Sequence, residues 1–102
     1  MSLEELSTRL EDAVTSVLMQ ARMDKSINES GLAATKEILS AARVALEGAE
    51  SIPRSLAGHG FLLFIGLLAE AEHARDDIKK NRLLDVAWDI EEHLRKIFGP
   101  QL

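Results

Sequence analysis

A chain of 102 residues holds one domain, hiding roughly 60–65% of its unfolded surface, and is too short for an interdomain cleft. Its 17 acidic and 12 basic residues give a formal charge of −5, which works against nucleic acid and anionic membrane surfaces, since both select clustered Lys and Arg. Cysteine is absent, which removes disulfides, thiolate nucleophiles and cysteine-ligated metals.

The composition favours helix throughout, with Leu, Ala, Glu, Arg and Lys dominant, no Tyr and only 2 Pro. The first segment, residues 3–23, repeats Leu3, Leu6, Leu10, Val14, Val17 and Ala21 at helical spacing. Ser2 is placed to cap it, and Glu4 and Glu5 suit its first turn. Its acidic, polar start resembles no secretory or mitochondrial leader, so a soluble, cytoplasmic protein is expected. The stretch 24–31 is rich in turn and cap formers. A second helix follows, with Ala34, Ile38, Ala41, Ala42, Ala45 and Ala49 on one face. Because the apolar spacing nearly continues through Ile27, one long bent helix is the alternative.

Residues 48–53 form the next break, with Ser51 as a cap and Pro53 tolerated in a first turn. The third segment then extends to about Lys79, with Gly58, His59 and Gly60 as a point of disturbance. Its longest apolar run, residues 60–69, falls short of the ~20 residues that span a bilayer. Asn81 caps a fourth helix ending at Phe98, before the Gly99–Pro100 stop. Four helices with short connections predict an all-α, antiparallel, up-down four-helix bundle in a single domain.

Three segments carry apolar residues on a second side. The third sets Gly60, Phe64, Leu67, Ala71, Ala74 and Ile78 on its main face, yet Leu62, Ile65 and Ala69 lie opposite, with Gly58 one turn earlier. The fourth has a core stripe of Leu83, Val86, Ile90, Leu94 and Ile97, with Leu84 and Trp88 pointing nearly the other way. On the first, Met19 and Met23 pair on the reverse side. A helix apolar all round is buried all round. This surplus predicts a homodimer or higher oligomer through Met19, Met23, Leu62, Ile65, Ala69, Leu84 and Trp88.

The three histidines invite chemistry. With a hairpin about Asn81, Glu70 falls level with Glu92 and His93, and His73 with Asp89. Glu70-x-x-His73 has the spacing of di-iron carboxylate bundles, and Asp89 and His93 share a face at i, i+4. Glu70, His73, Asp89 and His93 are therefore candidate ligands for a divalent metal ion. The competing expectation is a polar seam without any cofactor, with His93 paired to Glu70 and Asp89 or Asp77 to a neighbouring base. Histidine phosphotransfer domains place Lys three residues after their histidine, which neither His59 nor His73 does. Glu47-x-x-Glu50 has the acidic spacing of helical nucleotide pyrophosphohydrolases, but it sits beside Gly48 and Pro53 without a matching pair. No catalytic group is assembled, so the leading expectation is a non-enzymatic oligomeric interaction or regulatory module. The alternative is a metal-dependent helical protein acting on small phosphorylated molecules.

Overall fold

The computed structural model describes residues 2–99, which form four helices: α1 (Leu3–Asp24), α2 (Glu29–Ala45), α3 (Arg54–Glu72) and α4 (Asp77–Phe98). Among the described residues there is no strand. Each boundary has a local cause. The Ser2 hydroxyl accepts from the Glu5 amide at 3.1 Å and caps α1. Lys25 ends α1 in a left-handed conformation, φ 63°, with its amide donating to Ala21 at 2.9 Å. Asn28 then caps α2 by accepting from the Gly31 amide at 3.1 Å. Left-handed backbone at Lys25 and extended backbone at Asn28 are incompatible with a continuous helix, so α1 and α2 are distinct.

Two expected boundaries move. Pro53, not Ser51, precedes α3, which has no side-chain cap. More consequentially, α3 stops at Glu72 rather than Lys79, and Asp76 rather than Asn81 caps α4. The Asp76 carboxylate accepts from the amides of both Ile78 and Lys79, at 2.9 and 3.0 Å. Two charge-assisted acceptances at a helix start outweigh the apolar rhythm of Ala74 and Ile78, whose spacing continues that of α3. At the far end Gly99 adopts φ 95° while its amide donates to Arg95; Pro100 lies outside the described residues.

α1 packs on α2 and α3, and α4 on α3 and α2. Consecutive α2 and α3 are not among the close pairs, so the 46–53 connection crosses the end of the bundle instead of reaching the adjacent corner. Ser7 meets Ser55, Glu11 meets His59, Leu18 meets Gly66 and Lys25 meets Glu70, so α1 and α3 lie side by side in step. In α3 and α4, Gly60 packs on Leu94 and Phe64 on Trp88.

The core is a column of Leu10, Val14 and Val17 from α1, Leu39 from α2, Leu56, Leu63 and Leu67 from α3, and Leu83, Ile90 and Leu94 from α4. Each such side chain contributes ~1.5–3 kcal/mol by leaving water. Buried Thr35 is satisfied by donating to the Gly31 carbonyl at 2.8 Å. The face of α2 differs from the expected alanine stripe. Leu32, Thr35, Ile38, Leu39, Ala42 and Leu46 are inside, whereas Ala41, Ala45 and Ala49 are exposed. A leucine gains more from burial than an alanine, so the helix rotates its larger side chains inward. Gly60 and Gly66 let α3 sit tightly between its neighbours. A Cβ at Gly60 would stand 2.6 Å from a Leu94 methyl, and one at Gly66 2.6 Å from a Leu18 methyl.

Candidate interaction surface

α3 carries no Asp, Glu, Lys or Arg from Ser55 to Ala69, and by length and composition it is apolar enough to cross a membrane. Its inner face, Leu56, Gly60, Leu63, Leu67 and Ala71, is buried among the other helices. Its outer face is not. Leu62 is 55% exposed, Ile65 is 60% exposed, and Gly58 and Ala69 lie open above and below them. No atom lies within 4 Å of where a Cβ on Gly58 would stand.

One edge of this face is built by α4. Trp88 is 55% exposed and meets the Phe64 ring edge-on, with centroids 5.4 Å apart. Phe61 stacks on Phe98 at 6.0 Å. Phe61, Phe64, Trp88 and Leu94, with Glu91 and Arg95 at the rim, line a groove of about 320 Å³. Leu84 is half-buried against the core. The other edge belongs to α1, where Leu18 packs on Gly66 and the next residue, Met19, is exposed, as is Met23 one turn later. Sequence reasoning missed three exposed apolar side chains, Val44, Ile52 and Ile78. The helical spacing puts Ile78 on the α3 core face, yet it is 82% exposed because it belongs to the first turn of α4.

The polar candidates are dispersed. The Glu70 carboxylate is largely covered, bonded by the Lys25 ammonium at 2.8 Å and with the Arg22 guanidinium 3.6 Å away. The Lys25 hydrogen bond, aided by both cations and opposed by burial, holds its carboxyl below the ordinary glutamate range. His73 caps the end of α3 and is exposed, its Nδ1 2.8 Å from the Ala69 carbonyl. Asp89 is ion-paired with Lys36 across the α2–α4 contact. His93 lies beside it, with Nδ1 2.8 Å from the Asp89 carbonyl oxygen and 3.6 Å from its carboxylate. Asp89 and His93 therefore come together, while Glu70 takes its partners from α1. The expected His93–Glu70 pairing is replaced by His93–Asp89 and Lys25–Glu70.

The reason is register. With the turn at residues 73–76 and Phe64 opposite Trp88, Glu70 lies level with residues 82–84 rather than with His93. Among the described residues no three His, Asp or Glu side chains gather into a group able to hold a metal ion. His59 is partly covered, with Nε2 3.7 Å from the Glu11 carboxylate. Glu47 and Glu50 are exposed in the 46–53 connection.

A further pair of residues escaped notice in the sequence: Arg54 and Glu72, which stand at the two ends of α3, both exposed. Their signal was present, but placing the helix end at Lys79 hid Glu72 in the middle of a longer segment. No family model matches the chain, and no characterised protein or solved structure is significantly similar to it.

Proposed function

We propose that the protein is a non-enzymatic interaction module, a four-helix bundle that assembles through the outward face of α3. One observation carries the reading: Leu62 and Ile65 are more than half exposed in the middle of a helix face that has no charge for four turns. Isolated exposed hydrophobes are ordinary, but a contiguous apolar face flanked by Trp88 marks a contact site. Trp and Met are enriched where proteins meet, and Trp88, Met19 and Met23 are exposed on the two helices that pack against α3. Covering one large aliphatic side chain contributes ~1.5–3 kcal/mol, so a partner over Leu62 and Ile65 has a substantial driving force.

The experiment is light scattering and sedimentation of the wild type beside Ile65→Asp. The wild type should run as a dimer or larger species, and the variant as a folded monomer with an unchanged far-UV circular dichroism spectrum. A wild type that stays monomeric at several hundred micromolar would remove the reading.

A further inference from the structure

The ends of α3 carry charges of the wrong sense for its own dipole. α1, α2 and α4 place acids in the first turn (Glu4 and Glu5; Glu29; Asp77) and bases in the last, as aligned peptide dipoles favour. α3 does the reverse, opening with Arg54 and closing with Glu70 and Glu72. Glu70 is answered inside the chain by Lys25 and Arg22. Arg54 and Glu72 are both exposed, and neither has an ion-pair partner among the described residues.

The exposed face between them has a second property. From Arg54 it runs Gly58, Leu62, Ile65, Ala69 and Glu72. Read from either end, it is charge, small residue, branched aliphatic, branched aliphatic, small residue, charge. The spacings are nearly the same in both directions about Leu63 and Phe64. A two-fold contact demands this: if residue i of one copy meets residue j of the other, then j must meet i. Trp88 packs on Phe64, so it stands at the same height as the midpoint of the pattern.

We propose that α3 pairs with α3 of a second copy of this chain, antiparallel about a two-fold axis near Leu63, with Arg54 of each copy against Glu72 of the other. The proposal rests on the reading that this face is an assembly surface, and adds the partner, the direction and the register. In this arrangement Leu62 meets Ile65 of the partner subunit, and Gly58 meets Ala69 of the partner subunit, so small residues at both ends let the backbones approach. Each unpaired end charge gains an opposite charge, and also the partner helix terminus of the favourable sign. A helix of 19 residues is about 28 Å long, and a shallow crossing near 20° keeps both ends within reach of Arg and Glu side chains. A parallel pairing would instead set Arg54 on Arg54 and Glu72 on Glu72. A lipid surface would cover the apolar face but offers no reason for opposite charges at its two ends.

The test is sedimentation equilibrium of the wild type, Arg54→Glu, Glu72→Arg and the double variant. Each single substitution gives α3 the charge its dipole prefers, so thermal melts should show no loss of fold. Each should nonetheless weaken the dimer roughly tenfold, because two symmetric contacts become repulsive. The double variant should return to within about twofold of the wild type, whereas a parallel pairing, in which every variant keeps like charges opposed, predicts no weakening by either single substitution. Single variants that dimerise like the wild type would overturn the direction and register while leaving the assembly surface standing, provided Ile65→Asp dissociates. A monomeric wild type would overturn both, and its co-sedimentation with phosphatidylcholine vesicles would identify lipid as what covers α3.

Discussion

The α2–α4 side of the bundle and the outer face of α3 finish their surfaces in opposite ways. Where α2 meets α4, the rim is ionic: Arg82 reaches Glu29 at 2.8 Å, and Lys36 pairs with Asp89. Such a rim is complete in water, because the charges remain solvated whether or not they meet. The outer face of α3 has no charge between its ends and keeps Leu62 and Ile65 in solvent, with Trp88 of α4 exposed beside it. One side closes in paired charges, and the other leaves large apolar side chains in solvent. The comparison teaches that a small bundle can close its core with only part of its apolar inventory, leaving on α3 a face with no charge between its ends.

Adjacent leucines break this contrast most sharply. Leu63 is fully buried and Leu62 is 55% exposed, so Leu63→Ala should lose about 2–5 kcal/mol of folding stability in chemical denaturation. Leu62→Ala should leave monomer stability within about 0.5 kcal/mol and weaken association instead, roughly tenfold by dilution. Equal effects of the two on unfolding would erase the distinction between inner and outer faces.

A smaller effect concerns the ion pair between Lys25 and Glu70, both of whose side chains are largely covered. Glu70 is held below its unfolded value by Lys25, so its ionised form stabilises the fold. That contribution is complete above the unfolded glutamate value and is lost as pH falls through the depressed folded one. It should amount to no more than about 1 kcal/mol, visible as an acid-side decline in melting temperature that Glu70→Gln lacks. Smallest of all, Arg82→Ala at the α2–α4 rim should change stability by less than about 0.5 kcal/mol and leave oligomerisation untouched. A large effect there would mean that the ionic side, too, takes part in assembly.

Much of this was legible from residue order. The stripes of α1 and α4 are those their spacing implies: Leu6, Leu10, Val14, Val17 and Ala21 are buried, as are Leu83, Val86, Ile90 and Leu94. The exposed placement of Leu62, Ile65 and Trp88 was legible too, because their angular separation from the core stripe is a property of one helix alone. The α2 stripe was not. In an alanine-rich helix many faces look equally apolar, and only packing against larger neighbours selects among them. The grouping of Glu70, His73, Asp89 and His93 failed for another reason, since it depended on where one helix ends and the next begins.

What residue order determined, then, is everything that depends on a single helix: its period, its faces, and the excess of apolar side chains on α3. What only the tertiary structure decided is the register between helices and the corner each occupies. Moving the turn from Asn81 to residues 73–76 sets Phe64 opposite Trp88 instead of Phe98, a slide of about 15 Å along the helix axis. Helical periodicity is a local property, governed by the rotation per residue. Register is set by which of several adequate caps wins, and Asp76 wins because it satisfies two amides at once while the glycines at 60 and 66 let α3 settle against its neighbours.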